Sequence, residues 1–160
     1  MKFEEWIEAL AKYRENVFRS IPKDGWFTQM VLKGTDGPDF AYSVGAPQLG
    51  LPEVIIIGVP CEYGADLIDA LLKKLKGGEP LYEDAPYILA GTPLYLRRLS
   101  PKRAVTMMCL CDALHREGFA AFQIVHPDPK GLFPWEPSYD FPAQELLFSS
   151  DVKVPLQSVR

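Results

Sequence analysis

Glu53 is the residue of this chain whose setting best suits proton chemistry. It stands between Pro52 and the apolar run VIIIGV. A carboxyl at the mouth of such a run either ends in water at a strand terminus or is carried inside. Inside, it must accept hydrogen bonds or have its pKa raised. A carboxyl so placed is a site candidate, although structural networks perturb acids in the same way; both readings stand. Asp128, in His126-Pro127-Asp128-Pro129, is a second carboxyl. Its plainer role is to shape a turn with its side-chain oxygen. Tyr42 and Ser43 are neighbours on one expected strand, so their side chains point to opposite faces and only one can line a given side. Tyr42, grouped with Phe40 and Val44, reads as core with its hydroxyl at an edge. Trp135, between Pro134 and Glu136, reads as a packing anchor whose truncation to Ala costs roughly 3–5 kcal/mol if it is fully buried. Tyr42, Ser43, Glu53, His126, Asp128 and Trp135 all fall at expected strand ends and adjoining turns, where folds commonly build binding sites. No catalytic residue is assigned among them.

Several mechanisms lack their motifs. The chain has no GxxxxGK[ST] phosphate loop, no GxGxxG after a strand and no GxSxG nucleophile elbow. Its histidines number 2, His115 and His126, and its cysteines 3, Cys61, Cys109 and Cys111. Cys109 and Cys111, two apart on an expected helix, point about 200° from each other and cannot chelate one ion as a helical pair. Cys111 and His115, four apart, do share a face. Two ligands fall short of the four a structural zinc site uses, and a helix carrying Met107 and Met108 more simply has structural cysteines; no metal is expected. An odd cysteine count without spaced pairs is no disulfide framework.

The elements that must position these residues follow from periodicity. Residues 3 to 21 carry Phe3, Trp6, Ile7, Leu10, Val17, Phe18 and Ile21 at three- and four-residue spacing, which predicts a helix with one apolar face. Strands are expected at 26 to 32, 40 to 44 and 53 to 59, with the turn formers KGTDGPD joining the first two. The last of these is rich in β-branched residues and almost wholly apolar, and suits a central strand covered on both faces. Leu67, Ile68, Leu71, Leu72 and Leu75 predict a second helix, with acids at its start, lysines at its end and Gly77-Gly78 to stop it. Residues 77 to 93 read as one long Gly- and Pro-rich loop, a candidate lid. A strand over 94 to 99 follows. Ser100-Pro101 then opens a third helix running to Glu117, and 119 to 126 read as a last strand. The tail, 141 to 160, holds a further short strand candidate near VKVPL. Strands joined first by turns and then by helices predict an α+β fold: a mixed, largely antiparallel sheet with about three helices packed on it.

Bulk properties set limits. The 160 residues fit a single domain, 1–160, large enough to bury a core without a metal or disulfide staple. A net charge of -4 argues against nonspecific nucleic-acid or membrane binding, which rest on excess positive charge. The one basic cluster, Arg97, Arg98, Lys102 and Arg103, reads as a solvated face, with a polyanion site as the sharper alternative. The start, MKFEEWIEAL, is not a secretory signal. No run reaches the roughly 18 apolar residues of a membrane helix, so a cytoplasmic location is expected.

The segments in order resemble the bacterial domain-of-unknown-function family 4262. The carriers are Gly25-Trp26, Phe40-Ala41-Tyr42-Ser43-Val44-Gly45, Pro52-Glu53 leading into Val54 to Gly58, and Pro127-Asp128 with Gly131, Phe133, Pro134 and Trp135. The resemblance spans about residues 24 to 137. It departs at Ala46, where leucine is expected, and at His126, where an aromatic is usual. It brings no activity to transfer. Three functional readings follow. The first is a small-molecule-binding domain, enzyme or not, with its site at strand ends. The second is a protein-binding module of the immunity, adaptor or counter-defence kind. The third, on a fold-level analogy alone, is a flavin-binding protein of the split-barrel kind.

Overall fold

The computed structural model describes residues 2–148. The expected strand near VKVPL lies outside them. The order of elements is α1 (Phe3–Ser20), β1 (Phe27–Val31), β2 (Phe40–Val44), β3 (Glu53–Ile57), α2 (Cys61–Lys76), β4 (Tyr87–Leu89), β5 (Thr92–Arg98), α3 (Pro101–Met107), α4 (Cys109–Leu114) and β6 (Ala121–Val125). The strands form one sheet in the order β1-β2-β3-β6-β5-β4. Every pairing is antiparallel except β3 with β6, which is parallel. The fold is therefore α+β with a mixed, largely antiparallel sheet, and β1 and β4 are its two edges.

The apolar run at β3 is explained by cover on both faces. Val54 and Ile56 face α2, packing with Ile68, Leu71 and Leu72. Ile55 and Ile57 face the other way, onto Val17 of α1 and onto Met108, Leu110 and Cys111. The four aliphatic side chains of β3 are fully buried, each contributing about 1.5–3 kcal/mol relative to exposure. Helix α2 sits close because residue 64 is glycine: a Cβ there would stand 2.8 Å from Ile56 Cγ2.

Three expectations change. The long loop before β5 is interrupted by β4, which turns tightly into β5 through Ala90 and Gly91, both at positive φ (50° and 80°). That two-residue turn wants left-handed residues, and Ala-Gly lacks the usual asparagine or aspartate. The remainder of the loop is pinned, since Tyr82 stacks on Tyr87 at 4.2 Å and the Tyr87 hydroxyl donates to Pro80 O at 2.8 Å. The third helix is two short ones, broken at Met108 (φ -112°, ψ 64°); its start is as expected, with Ser100 Oγ accepting the Arg103 N–H. Finally, Arg97 does not belong to a solvated face. It is 1% exposed, its guanidinium lies 4.8 Å from the Trp135 ring, and it donates to Glu83 O. Burial lowers its pKa.

Candidate functional site

Glu53 opens β3 and is completely buried. Four donors and a neighbouring thiol surround its carboxylate. Ser43 Oγ–H and the Ala46 N–H reach Oε1 at 2.8 and 3.2 Å. The Gly45 N–H reaches Oε2 at 2.8 Å, His115 Nε2 meets the same oxygen at 2.8 Å, and the Cys111 thiol lies 3.4 Å from it. The local sequence makes this possible. Gly45 takes φ +105°, and a Cβ there would meet Ile21 Cγ2 at 2.7 Å. The chain thereby turns sharply out of β2 into the 3-10 turn Ala46–Leu49, aiming two successive N–H groups at the carboxylate. The β2–β3 ladder runs from Phe40↔Ile57 to Tyr42↔Ile55. Beyond it Ser43 Oγ accepts the Val54 N–H at 2.9 Å, so one hydroxyl both closes the ladder and donates to Glu53.

The break at Met108 lets α4 lie across this end of the sheet. The Tyr42 hydroxyl accepts the Leu110 N–H at 3.2 Å, and Cys111 Sγ donates to Ser43 O at 3.0 Å. One turn on, His115 ends α4 and brings its ring onto Glu53. Burial, followed by the neighbouring carboxylate, pushes the Cys111 thiol far up, so it is a weak hydrogen-bond donor and not a nucleophile. Burial likewise raises the Tyr42 phenol.

His115 is the member of this cluster that reaches the surface. Its side chain is 16% exposed, against 0% for Glu53. The ring lines a cavity of about 490 Å³ with Phe18, Ile21, Gly45, Pro47, Gln48 and Leu114. The Gln48 amide is held by the carbonyls of Pro22 and Gly25 at 2.6 and 2.7 Å. With Glu53 accepting at Nε2, that nitrogen carries the proton. Nδ1 has no hydrogen-bond partner among the described residues. A buried carboxylate that fixes the tautomer and orientation of an imidazole is the arrangement that general acid–base catalysis uses.

The six sequence candidates do not form one site. Ser43 and Glu53 are in contact, and Tyr42 supports the same helix from the neighbouring position. His126, Asp128 and Trp135 lie at the opposite end of the sheet: His126 Nε2 contacts Ile57 O at 3.0 Å, and Ile57 is the far end of β3 from Glu53, about 13 Å away at ~3.3 Å per residue. Asp128 organises a turn. Its Oδ1 accepts the N–H groups of Lys130 and Leu132, and its Oδ2 that of Asp140, at 2.8–3.0 Å. Burial would raise its pKa, but these backbone donors and the Lys130 ammonium outweigh it and hold the carboxyl low. Trp135 is partly buried and stacks on Phe133, and its buried Nε1 has no hydrogen-bond partner. His115 is the site residue the candidate set lacked. Its signal was the face it shares with Cys111. Among the described residues no group of three or more His, Cys, Asp or Glu is placed to hold a metal ion, and no helix is long and apolar enough to cross a membrane.

Fold and site together define an α+β protein with a mixed sheet and a buried carboxylate–histidine pair beneath a surface cavity. Within that class the chain belongs to the DUF4262 family, a domain of unknown function, whose model matches residues 20–140. The match takes in β1 to β6 and both members of the Glu53–His115 pair, and it leaves all but the last residue of α1 outside. No curated protein and no solved structure matches the chain.

Proposed function

We propose that this is a small-molecule-binding domain whose ligand occupies the cavity at His115, with the imidazole as the group that exchanges or shares a proton with it. One observation carries the reading: a carboxylate with no solvent exposure holds Nε2 of a histidine whose side chain is 16% exposed on a cavity wall. Removing a carboxylate from water is costly unless its partners compensate, and here the compensation fixes one ring at one surface opening. The walls formed by Phe18, Ile21, Pro47 and Leu114 favour a compact ligand with an apolar body and one polar group that meets Nδ1. If turnover occurs, His115 is the acid or base and Glu53 its positioning residue.

The test is a screen of small aromatic and aliphatic acids, amines and alcohols by amide and imidazole NMR. Hits are expected to move His115, Gln48 and Leu114 together, and to be lost in His115→Ala but kept in Asp128→Asn. Hits that leave these resonances still while moving those around Asp128 and Trp135 would place the site at the other end of the sheet and defeat the proposal.

A further inference from the structure

Helix α1 is the element the fold explains least. Of its 18 residues only Val17 is buried. Phe3, Trp6, Ile7 and Tyr13 are 71, 49, 45 and 46% exposed, and with Leu10 they form one stripe at three- and four-residue spacing. The last turn is anchored by Val17 and Phe18 against the sheet, and the Tyr13 hydroxyl donates to Gln29 of edge strand β1 at 2.6 Å. Residues 2–9 are exposed throughout. Helices are marginal in water without tertiary packing, and a contiguous apolar stripe on a surface marks an interface. The family match begins at residue 20, so α1 is an addition to the shared unit.

We infer that α1 is a homodimerisation element, packing its stripe antiparallel on the same stripe of a second copy. The charges select this occupant. The acids Glu4, Glu5 and Glu8 fill the first half of the helix, and the second holds the bases Lys12, Arg14 and Arg19 with one acid, Glu15, which pairs with Arg19. An antiparallel pair brings unlike halves together, whereas a parallel pair aligns like with like. At about 100° per residue, Arg14 lies about 40° and Glu4 about 120° from Leu10 on the same side of the stripe. A twofold axis near Ala9 sets Glu4 of one copy level with Arg14 of the other. Among the described residues the ion pair of this helix is Arg19 with Glu15, and Glu4 and Arg14 have none. Aromatic side chains present ~150–250 Å² each. At their stated exposures the four large stripe residues offer roughly 400 Å² per copy and roughly 800 Å² for the pair. That lies just below the ~1,000 Å² of a specific interface, a gap the polar flanks fill, so the dimer is a weak one.

Sedimentation equilibrium of the full chain over a wide concentration range tests this. A monomer–dimer equilibrium is expected. Trp6→Glu raises the dissociation constant at least about tenfold, as removal of an aromatic anchor does. Glu4→Arg and Arg14→Glu each weaken the dimer, and the double variant Glu4→Arg/Arg14→Glu restores it, because in an antiparallel self-pair the exchanged charges meet again. These residues are exposed, so far-UV circular dichroism should report an unchanged fold. A chain that stays monomeric at every concentration gives the stripe to another protein or to a lipid surface and overturns the inference. A dimer indifferent to Trp6→Glu, or a double variant no tighter than the singles, overturns it as well.

Discussion

Removing the Glu53 carboxylate should loosen the fold and re-set the histidine in ways that separate by variant. In Glu53→Ala, the Gly45 and Ala46 N–H groups, the Ser43 hydroxyl and His115 Nε2 lose the acceptor they reach at 2.8–3.2 Å. A buried donor left without a partner costs about 1–3 kcal/mol. The Ser43 hydroxyl can rotate and water can enter the vacated space, so the sum is not simply additive; about 3–5 kcal/mol is expected, less than the four orphaned donors would cost one by one. Against a typical total of about 5–15 kcal/mol, this leaves a marginal protein. Glu53→Gln keeps the volume and one acceptor oxygen. If that oxygen stays with Ser43 and Ala46, the amide NH₂ faces the Gly45 N–H and His115. The ring can adapt by moving its proton to Nδ1 and accepting at Nε2, but the Gly45 N–H cannot. One orphaned N–H plus the loss of charge-assisted bonding gives about 2–3 kcal/mol. Urea unfolding with a constant slope measures both costs. Imidazole ¹⁵N–¹H correlation spectra identify the tautomer: Nε2–H in the parent, Nδ1–H in Glu53→Gln. Should both variants lie within about 0.5 kcal/mol of the parent, the range of ordinary surface substitutions, and the tautomer stay put, the account of Glu53 as the organiser of this end of the sheet is wrong.

Three further outcomes are expected. Alkylation of the native protein should modify Cys109, which is exposed, and spare Cys61 and Cys111, which are buried; mass spectrometry showing Cys111 modified under native conditions would contradict the packing of α4. Gly45→Ala combines a left-handed φ of +105° with a Cβ 2.7 Å from Ile21 Cγ2 and should cost at least about 1–3 kcal/mol for the backbone alone, read by the same urea titration, with loss of the Glu53–His115 contact visible in the imidazole spectrum. Asp128 is held below the ordinary carboxylate pKa of ~3.9, so its contribution to stability is complete above that pH and is lost as the pH falls through the lower folded value. Acid unfolding curves should show this component in the parent and lose it in Asp128→Asn, whose amide would face the Asp140 N–H.

What the sequence revealed and what it concealed divide along one line. Patterns that depend on a residue's own element were legible. The double-faced β3 run, the α2 stripe with its lysine-rich end, the Ser100-Pro101 start and the β1–β2 turn all stand where periodicity and capping put them. Features set by partners distant in sequence were not. Arg97 sits in a basic run, yet strand alternation turns it inward to Trp135, nearly 40 residues on. Helix α3 gives way at Met108 without glycine or proline; the backbone departs from helix where Leu110 N and Cys111 Sγ must meet Tyr42 and Ser43.

The candidate site shows the same division. Glu53 was legible because an acid beside an apolar run has few ways to be accommodated, and the structure uses one of them, full burial with four donors. Its grouping with His126 and Asp128 turned on the direction of one strand. Glu53 begins β3 and His126 follows the end of β6. Had those strands run antiparallel, as every other pair in the sheet does, the two residues would share an end. They are the one parallel pair, with Glu53 opposite Ala121, so the carboxyl and His126 are held a full strand length apart. The face shared by Cys111 and His115 was legible too, but helical spacing could not name what that face meets. The third partner comes from the start of a strand more than 55 residues earlier. A pair of polar residues on an apolar helix face therefore gains its meaning from the strand end it covers, and here that strand end carries the one carboxylate in the described chain with no solvent exposure.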